Sequence, residues 1–314
     1  MTAAIRVRDL RKRFGDIIAV EDVSFEAAGA SVLALLGPNG AGKTTITRVL
    51  ATILAPDGGT AEIMGRDVKT DPRGVRRLLG LAGQYAAVDP VLTGRENLRL
   101  VGRLSRLTRH DAARRAGELL ERFELADAAD RPVRTYSGGM RRRLDLAAAL
   151  VHRPPVLLLD EPTTGLDIRS RVELWAMIRE LVSDGTAVLL TTQYLEEADR
   201  LADDVVVVDH GRVIATGSPA KLKATMGGAV AEVTLADEPQ AARAAELLAG
   251  TGIASPERDG RELRLSAQDG AGVLLHALRA LDAGGLTPVT LALREPSLDD
   301  VFLALTGHPS QDRQ

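Results

Sequence analysis

The stretch SVLALLGPNGAGKTT, Ser31–Thr45, joins an apolar run to a glycine-rich loop that ends in Lys and Thr. The loop follows the pattern Gly-x-x-x-x-Gly-Lys-Thr, which lies between a buried strand and a helix and wraps phosphate groups with backbone N–H groups. The following helix adds the positive end of its dipole. We therefore predict a nucleotide site in a strand–loop–helix unit, with the helix running from Lys43 to about Leu54.

Two segments further along the chain add acids and a second glycine pair. The apolar run Val156–Leu159 ends in Asp160 and Glu161, and YSGGM, Tyr136–Met140, precedes it. A carboxylate at such a strand end can hold Mg²⁺ opposite the hydroxyl of a phosphate loop. Many unrelated ATPases and GTPases share the loop and the acidic strand, whereas one large class adds Ser-Gly-Gly between them. Taken alone, that element would be a helix-capping serine before turn glycines.

This order of motifs resembles the ATP-binding subunits of ABC (ATP-binding cassette) transporters. The resemblance implies an α/β P-loop NTPase cassette with a largely parallel sheet, an antiparallel β subdomain and a helical subdomain. It implies ATP hydrolysis, with ATP and Mg²⁺ as cofactors. In this family two subunits form a homodimer with ATP at the interface. Ser137, Gly138 and Gly139 would then complete the nucleotide site of the opposite subunit.

The resemblance also implies roles for individual residues. Lys43 would contact the β- and γ-phosphates, Thr44 would bind Mg²⁺, and Thr45 would contact the α-phosphate. Asp160 would hold Mg²⁺, and Glu161 would polarise the attacking water as a general base. The other loop residues expected to bind nucleotide are Gly37, Pro38, Asn39, Gly40, Ala41 and Gly42.

Further positions match the family pattern with a competing interpretation beside each. Gln84 matches a glutamine that meets Mg²⁺ or the attacking water, in a loop that touches the membrane partner. Phe14 matches an aromatic that stacks on adenine, but it could equally lie in the core. Asp167 resembles a residue that crosses the dimer interface. The run Arg141–Arg143 is interpreted as a solvated helix face.

One departure from the family pattern concerns Gln193, which stands where most ABC subunits carry a histidine. Its amide can donate a hydrogen bond to the γ-phosphate but cannot become cationic or carry a proton. Because Glu161 is kept, we expect hydrolysis to survive. The alternative is that Gln193 is a bystander.

Composition shifts near Met226-Gly227-Gly228, which predicts a cassette over residues 1–227 and a second domain over 228–306. The second segment has the order β-α-β-β-α-β, typical of a small α+β domain. Its last helix should begin at Ser297, which can cap it. The polar tail, 307–314, is expected to be disordered.

Overall composition limits the possible partners and location. Net charge is −3, from 40 basic and 43 acidic residues, without the basic footprint of a nucleic-acid-binding protein. Cysteine is absent, which excludes disulfides and thiolate metal sites. No apolar run approaches the roughly 20 residues that span a bilayer. We expect a cytoplasmic subunit, peripheral on the inner face of the cell membrane, with another chain supplying the membrane path.

Three longer segments resemble one branch of the family, the daunorubicin/doxorubicin-resistance type; they are LAGQYAAVDPVLTGRENL, TTQYLEEADRLAD and REPSLDDVFLALTG. Subunits of that branch power export of drugs or other hydrophobic compounds through a separate ABC-2 type permease.

Export of a lipid or polysaccharide stays open, as does a soluble ABC ATPase or a binding module with vestigial activity. The ribosomal class normally joins two cassettes and the chromosomal class needs a long coiled coil. Neither fits a chain with a single phosphate loop and fewer than a hundred residues between that loop and Ser-Gly-Gly.

Overall fold

The computed structural model of the chain describes residues 3–83, 88–225, 229–250, 256–267 and 270–306. These residues form two compact units, the first extending to Ser218 and the second beginning at Pro219. The boundary predicted at residue 227 lies outside the described residues and stays a prediction, as does the expected disorder of the tail, 307–314. In the described part of the chain, no helix combines the length and the apolar character needed to cross a membrane.

A six-stranded sheet forms the centre of the first unit, in the order β10-β9-β3-β8-β7-β6. All neighbours pair in parallel except β10, which is antiparallel to β9. The predicted parallel sheet is therefore confirmed. Its inner strands are apolar because both faces are covered, and the carboxyl ends of the parallel strands meet at one edge. The bounds are β3 Val32–Leu36, β6 Leu79–Ala82, β7 Val156–Asp160, β8 Ala187–Thr192, β9 Asp204–Asp209 and β10 Arg212–Gly217.

A second sheet in this unit is antiparallel, with the order β2-β1-β4-β5. Ile5, Val7 and Leu10 of β1 are buried and share one apolar core with Leu33 and Leu35 of the central sheet. This sheet is the expected antiparallel β subdomain. Its strands are β1 Ile5–Phe14, β2 Ile17–Ala27, β4 Gly58–Ile63 and β5 Arg66–Asp67.

Seven helices accompany these sheets among the described residues of the first unit. The expected helical subdomain is present as α3 and α4, which pack with α5 around Leu98, Leu119 and Leu144. Helix α1 is shorter than predicted because Thr52, just after it, has a left-handed φ of 60° that cannot continue a helix. The bounds are α1 Lys43–Leu50, α2 Pro72–Leu78, α3 Gly94–Leu104, α4 Arg109–Arg122, α5 Gly138–Ala149, α6 Ile168–Ser183 and α7 Leu195–Leu201.

The second unit contains a four-stranded antiparallel sheet in the order β12-β13-β11-β14. This order confirms the predicted β-α-β-β-α-β arrangement. Ser297 caps the last helix as expected, since its Oγ accepts from Asp300 N at 3.3 Å. The bounds are α8 Pro219–Ala224, β11 Ala229–Thr234, α9 Glu238–Ala249, β12 Glu257–Asp259, β13 Glu262–Ala267, α10 Gly270–Ala283, β14 Thr290–Arg294 and α11 Leu298–Thr306.

Candidate functional site

The glycine loop between β3 and α1 is held tightly by its surroundings. A Cβ at Gly37 would lie 2.1 Å from the carbonyl oxygen of Val208, so only glycine fits there. Gly42 precedes α1 with a φ of 104°, and no side chain caps the helix. Helix N–H groups without a capping side chain need another acceptor. The start of α1 is therefore suited to an anion such as phosphate.

Lys43 places a buried cation inside this loop. Its side chain is 4% exposed, and Nζ donates to Gly37 O at 2.7 Å and Pro38 O at 3.0 Å. Burial lowers the pKa of the Lys43 ammonium, while the charges of Glu161 and Asp160 oppose that shift. A buried charge is costly without a counter-charge, so the negative charge of a bound phosphate would stabilise the buried Lys43 ammonium.

Thr44 and Asp160 meet at the edge of the sheet, as the sequence predicted for a metal-binding pair. Thr44 Oγ1 donates to Asp160 Oδ1 at 3.2 Å, and Thr191 Oγ1 at the end of β8 donates to the same oxygen at 2.5 Å. No group of three or more His, Cys, Asp or Glu residues in the described segments could hold a metal ion. One hydroxyl and one carboxylate fit Mg²⁺, which takes few protein ligands and binds together with substrate phosphates.

Glu161 follows Asp160 in a sharp turn after β7. Its φ is 49°, and its N–H donates to Thr191 O at 3.0 Å. Its Oε2 accepts from Thr164 Oγ1 at 3.3 Å, and the side chain is partly exposed. The turn separates the two acids, because Asp160 is buried while Glu161 stays accessible to water. That placement suits the general base expected from the sequence.

Arg142 was interpreted as part of a solvated helix face, and that interpretation is wrong. Its side chain is only 13% exposed. The guanidinium donates to Pro162 O at 2.7 Å and Asp160 O at 3.3 Å, and also to Gly83 O. Sequence reasoning missed this residue because its acceptors lie far along the chain. Its burial next to two strand ends is the signal that identifies it.

The Ser-Gly-Gly element begins α5 on the surface. Ser137 and Gly138 are exposed, and a Cβ at Gly138 would meet nothing within 4 Å. Ser137 Oγ accepts from Met140 N at 3.2 Å and so caps its own helix. The preceding Tyr136 anchors the turn, because its buried hydroxyl donates to Ala128 O at 2.6 Å.

Two further predicted residues take defined positions in this unit. Asp167 is exposed and caps α6, accepting from Ser170 N and Ser170 Oγ, each at 2.9 Å. The hydrogen bond from the Ser170 backbone N–H is the main cause that lowers the pKa of the Asp167 carboxyl, and the bond from the Ser170 hydroxyl lowers it further. Phe14 is 45% exposed, which argues against the core alternative. Lys12 Nζ lies 5.5 Å from the centroid of the Phe14 ring.

Of the two glutamines expected at the site, the structure describes Gln193 but not Gln84. Gln193 lies directly after β8, and its Oε1 is buried without a hydrogen-bond partner in the part of the chain that the structure describes. Because a phosphate oxygen cannot pair with Oε1, the amide NH₂ is the end that can meet phosphate. Gln84 lies outside the described residues, so its predicted roles in catalysis and Mg²⁺ binding stay predictions.

Comparison with known sequences gives a consistent group of relatives. The profile described as ABC transporter matches residues 20–164. Daunorubicin resistance ATP-binding protein DrrA2 of Streptomyces coeruleorubidus is 50% identical, with 99% of this chain and 97% of that protein covered. Doxorubicin resistance ATP-binding protein DrrA of Mycobacterium tuberculosis is 46% identical, with 98% and 95% covered. Nod factor export ATP-binding protein I of Ralstonia nicotianae is 39% identical, with 99% and 96% covered.

Solved structures give the same fold. An ATP-binding subunit of an ABC transporter superposes with a TM-score of 0.65 and 29% identity, over 71% of this chain and 93% of that chain. The cbiO1 protein of Clostridium perfringens, part of the ABC transporter complex cbiONQ, gives a TM-score of 0.65 and 25% identity, over 71% and 91%. The shared part is thus nearly all of each solved chain.

Proposed function

Because this chain belongs to the ATP-binding subunits of ABC transporters, in the daunorubicin- and doxorubicin-resistance branch, we propose that it powers export of a drug or other hydrophobic compound through a separate ABC-2 type permease. It is an ATP hydrolase. The observation that carries the proposal is the meeting of Lys43, Thr44 and Asp160 at one sheet edge, together with the exposed Ser-Gly-Gly start of α5.

The residues of one chain divide the chemistry among them. The loop amides and Lys43 bind and orient the phosphates. Thr44 and Asp160 would hold Mg²⁺, which neutralises charge on the phosphate oxygens when bound. Glu161 takes the proton of the attacking water. Ser137 and the positive end of α5 serve the γ-phosphate held by the second subunit, a dipole effect of about 0.3–1 kcal/mol, or about 2 kcal/mol when partly buried.

ABC ATP-binding subunits of transporters dimerise and work with membrane permease components. We infer that this chain forms a homodimer with two ATP molecules at its interface. Its place would be the inner face of the cell membrane, where ATP is available. The Nod factor relatives are less similar than the drug-resistance relatives, so a drug or other hydrophobic compound is the first candidate cargo. A lipid or polysaccharide is the alternative.

A basic pocket offers a docking surface for the permease. It has a volume of about 520 Å³ and no acidic residue in its lining. Leu104, 76% exposed, adds apolar surface. Arginine binds carboxylates through two parallel hydrogen bonds, so we infer that the permease presents a segment with Asp or Glu beside apolar residues. The arginines of the lining are Arg73, Arg76, Arg77 and Arg106.

The test co-expresses the chain with the membrane protein encoded next to its gene. We expect the two to co-purify, and cells holding both to retain less daunorubicin than cells holding either alone. Glu161→Gln should still co-purify with the permease but lose export. The double variant Arg73→Glu/Arg77→Glu should hydrolyse ATP in isolation but no longer co-purify.

Each outcome has a defined meaning. Export by the permease without this chain would contradict the proposed function. Co-purification that survives the double charge reversal would contradict docking at the basic pocket while leaving the export proposal intact. Unchanged daunorubicin retention together with transport of a lipid or polysaccharide would favour the alternative cargo.

A further inference from the structure

A single guanidinium connects the Ser-Gly-Gly helix to the acidic edge of the sheet. Arg142 lies on α5, soon after Ser137, and one of its hydrogen bonds goes to Asp145 in the same helix, at 3.5 Å. Its three backbone acceptors lie at or just after the ends of β7 and β6, and they are Asp160 O, Pro162 O and Gly83 O. No other side chain described above joins α5 to these two strand ends.

Two of the three acceptors flank the candidate general base. Glu161 lies between Asp160 and Pro162, so Arg142 holds the peptide carbonyls on both sides of it, at 3.3 and 2.7 Å. Glu161 itself has a left-handed φ of 49°. Such a conformation is strained outside glycine and persists only where the surroundings fix it. Arg142 is one of the groups that fix this turn.

The environment of Arg142 differs from that of its neighbours in sequence. Burial lowers its pKa, while Asp145, Glu197 and Asp160 oppose that shift. Arg141 is exposed and donates to Tyr136 O in its own turn. The Arg143 side chain is also largely buried, at 17% exposed, but it pairs with Glu124, which is itself 73% exposed, at 3.0 Å. Arg142 differs from both neighbours in its partners, because its guanidinium donates to the carbonyls on either side of Glu161.

We propose that Arg142 is a positioning residue that couples the Ser-Gly-Gly helix of each subunit to Glu161 of the same subunit. This inference rests on the proposed function, in which α5 meets the ATP held by the partner. When α5 moves onto that ATP, Arg142 moves with it and sets the turn that carries Glu161. Each subunit then has its base in place only when its own α5 is engaged, so the two sites of the dimer hydrolyse together.

The test compares three neighbouring arginines in the purified full-length chain. Arg142→Gln should lower kcat for ATP hydrolysis by about 10- to 100-fold while the KM for ATP changes by less than about threefold, because transition-state geometry is lost and binding is not. Arg142→Lys should recover part of kcat, since an ammonium keeps the charge but has fewer directed donors. Arg141→Gln and Arg143→Gln are matched controls and should keep kcat within about twofold.

A double-variant cycle separates positioning from a merely structural role. If Arg142 acts through Glu161, adding Arg142→Gln to Glu161→Gln should leave the residual hydrolysis unchanged, since coupled residues are not additive. A further drop equal to the single effect would overturn the proposal. So would normal kcat in Arg142→Gln, or equal losses in all three arginine variants. If Arg142→Gln does not fold, the same comparison is made with Arg142→Lys. Absence of hydrolysis in the unmodified chain would instead contradict the proposed function.

Discussion

Helices α1 and α5 both begin at glycines expected to face phosphate, yet their beginnings differ. The start of α1 has no side-chain cap, and the first residue, Lys43, is buried. The start of α5 is exposed and is already capped by Ser137, through Met140 N. Around α1 the same chain supplies a cation, a hydroxyl and a carboxylate, whereas α5 offers only its N–H groups and one hydroxyl.

This difference fits the proposal that one chain holds a phosphate cradle, formed by the glycine loop with Lys43, Thr44 and Asp160, and a separate half-site at the start of α5. The hydroxyl of Ser137 accepts a hydrogen bond from its own helix but can still donate one outwards. Gly138 leaves open space in front of it. In the proposed dimer with two composite sites, a phosphate held by the second subunit would fill that space.

The largest effect that tests this comparison is expected from Ser137→Arg. The bulky cation should block the approach of the partner's phosphate while the chain's own cradle stays intact. Binding of ATP should stay within about threefold, and hydrolysis should fall by about 100-fold or more, the loss expected when a transition-state donor is removed. Equilibrium binding of a fluorescent ATP analogue and steady-state phosphate release measure the two quantities.

The matched control is Thr108→Arg, which also replaces an exposed N-cap that accepts from its own helix. It should lose about 1 kcal/mol of stability, as cap removal does, and keep hydrolysis. Normal activity of Ser137→Arg would show that α5 is not half of a shared site.

Sequence patterns predicted the contacts that depend on strand ends. The apolar run Val156–Leu159 ending in Asp160 was expected to be a strand, and it forms β7, Val156–Asp160, because apolar runs without internal breaks are typical of buried parallel strands. Parallel strands bring their carboxyl ends to one edge, and this explains why Thr44 and Asp160 meet although 116 positions separate them. The general position of the site was therefore available from the sequence.

Contacts formed by single side chains could not be predicted in this way. Arg142 is one of three consecutive arginines, and it is distinguished by its hydrogen bonds to the carbonyls of Pro162, Asp160 and Gly83, the last of them 59 positions away. The end of α1 depends on the left-handed Thr52, whose hydroxyl accepts from Arg76 at 2.8 Å. Such long-range contacts override local helix propensity. The roles of the site residues themselves stay predictions until they are tested.

An intermediate effect is expected from Phe14→Ala, which tests the nucleotide site around α1. If the ring stacks on adenine, its loss should raise the KM for ATP by about 2- to 10-fold, corresponding to the roughly 0.5–1.5 kcal/mol of an aromatic stack. kcat should not change, because the contact is uniform between ground and transition states. Ile17→Ala is the control, since Ile17 is also near this strand end and is 70% exposed. An unchanged KM in Phe14→Ala would contradict the stacking of the Phe14 ring on adenine.

The smallest effect is expected from Gln193→His, which also concerns the phosphate cradle. Both side chains can present one N–H donor to the γ-phosphate, so kcat should stay within about threefold near neutral pH. The histidine titrates near its ordinary pKa of about 6.5, so the variant should gain a pH dependence between about 6 and 8 that the glutamine chain lacks. Phosphate release measured across that pH range checks both expectations.

The control for this substitution is Gln193→Leu, which is similar in size but has no donor. If the amide donates to the γ-phosphate, the leucine variant should lose about 10-fold or more in kcat, since a phosphate oxygen would lose its partner in the transition state. Full activity of Gln193→Leu would show that residue 193 takes no part in hydrolysis. Lys43, Thr44 and Glu161 would then be the residues expected to act on the phosphates and the attacking water. A loss of more than 10-fold in Gln193→His would indicate instead that hydrolysis depends on the amide geometry itself, and that the departure from histidine is a specific adaptation of this site.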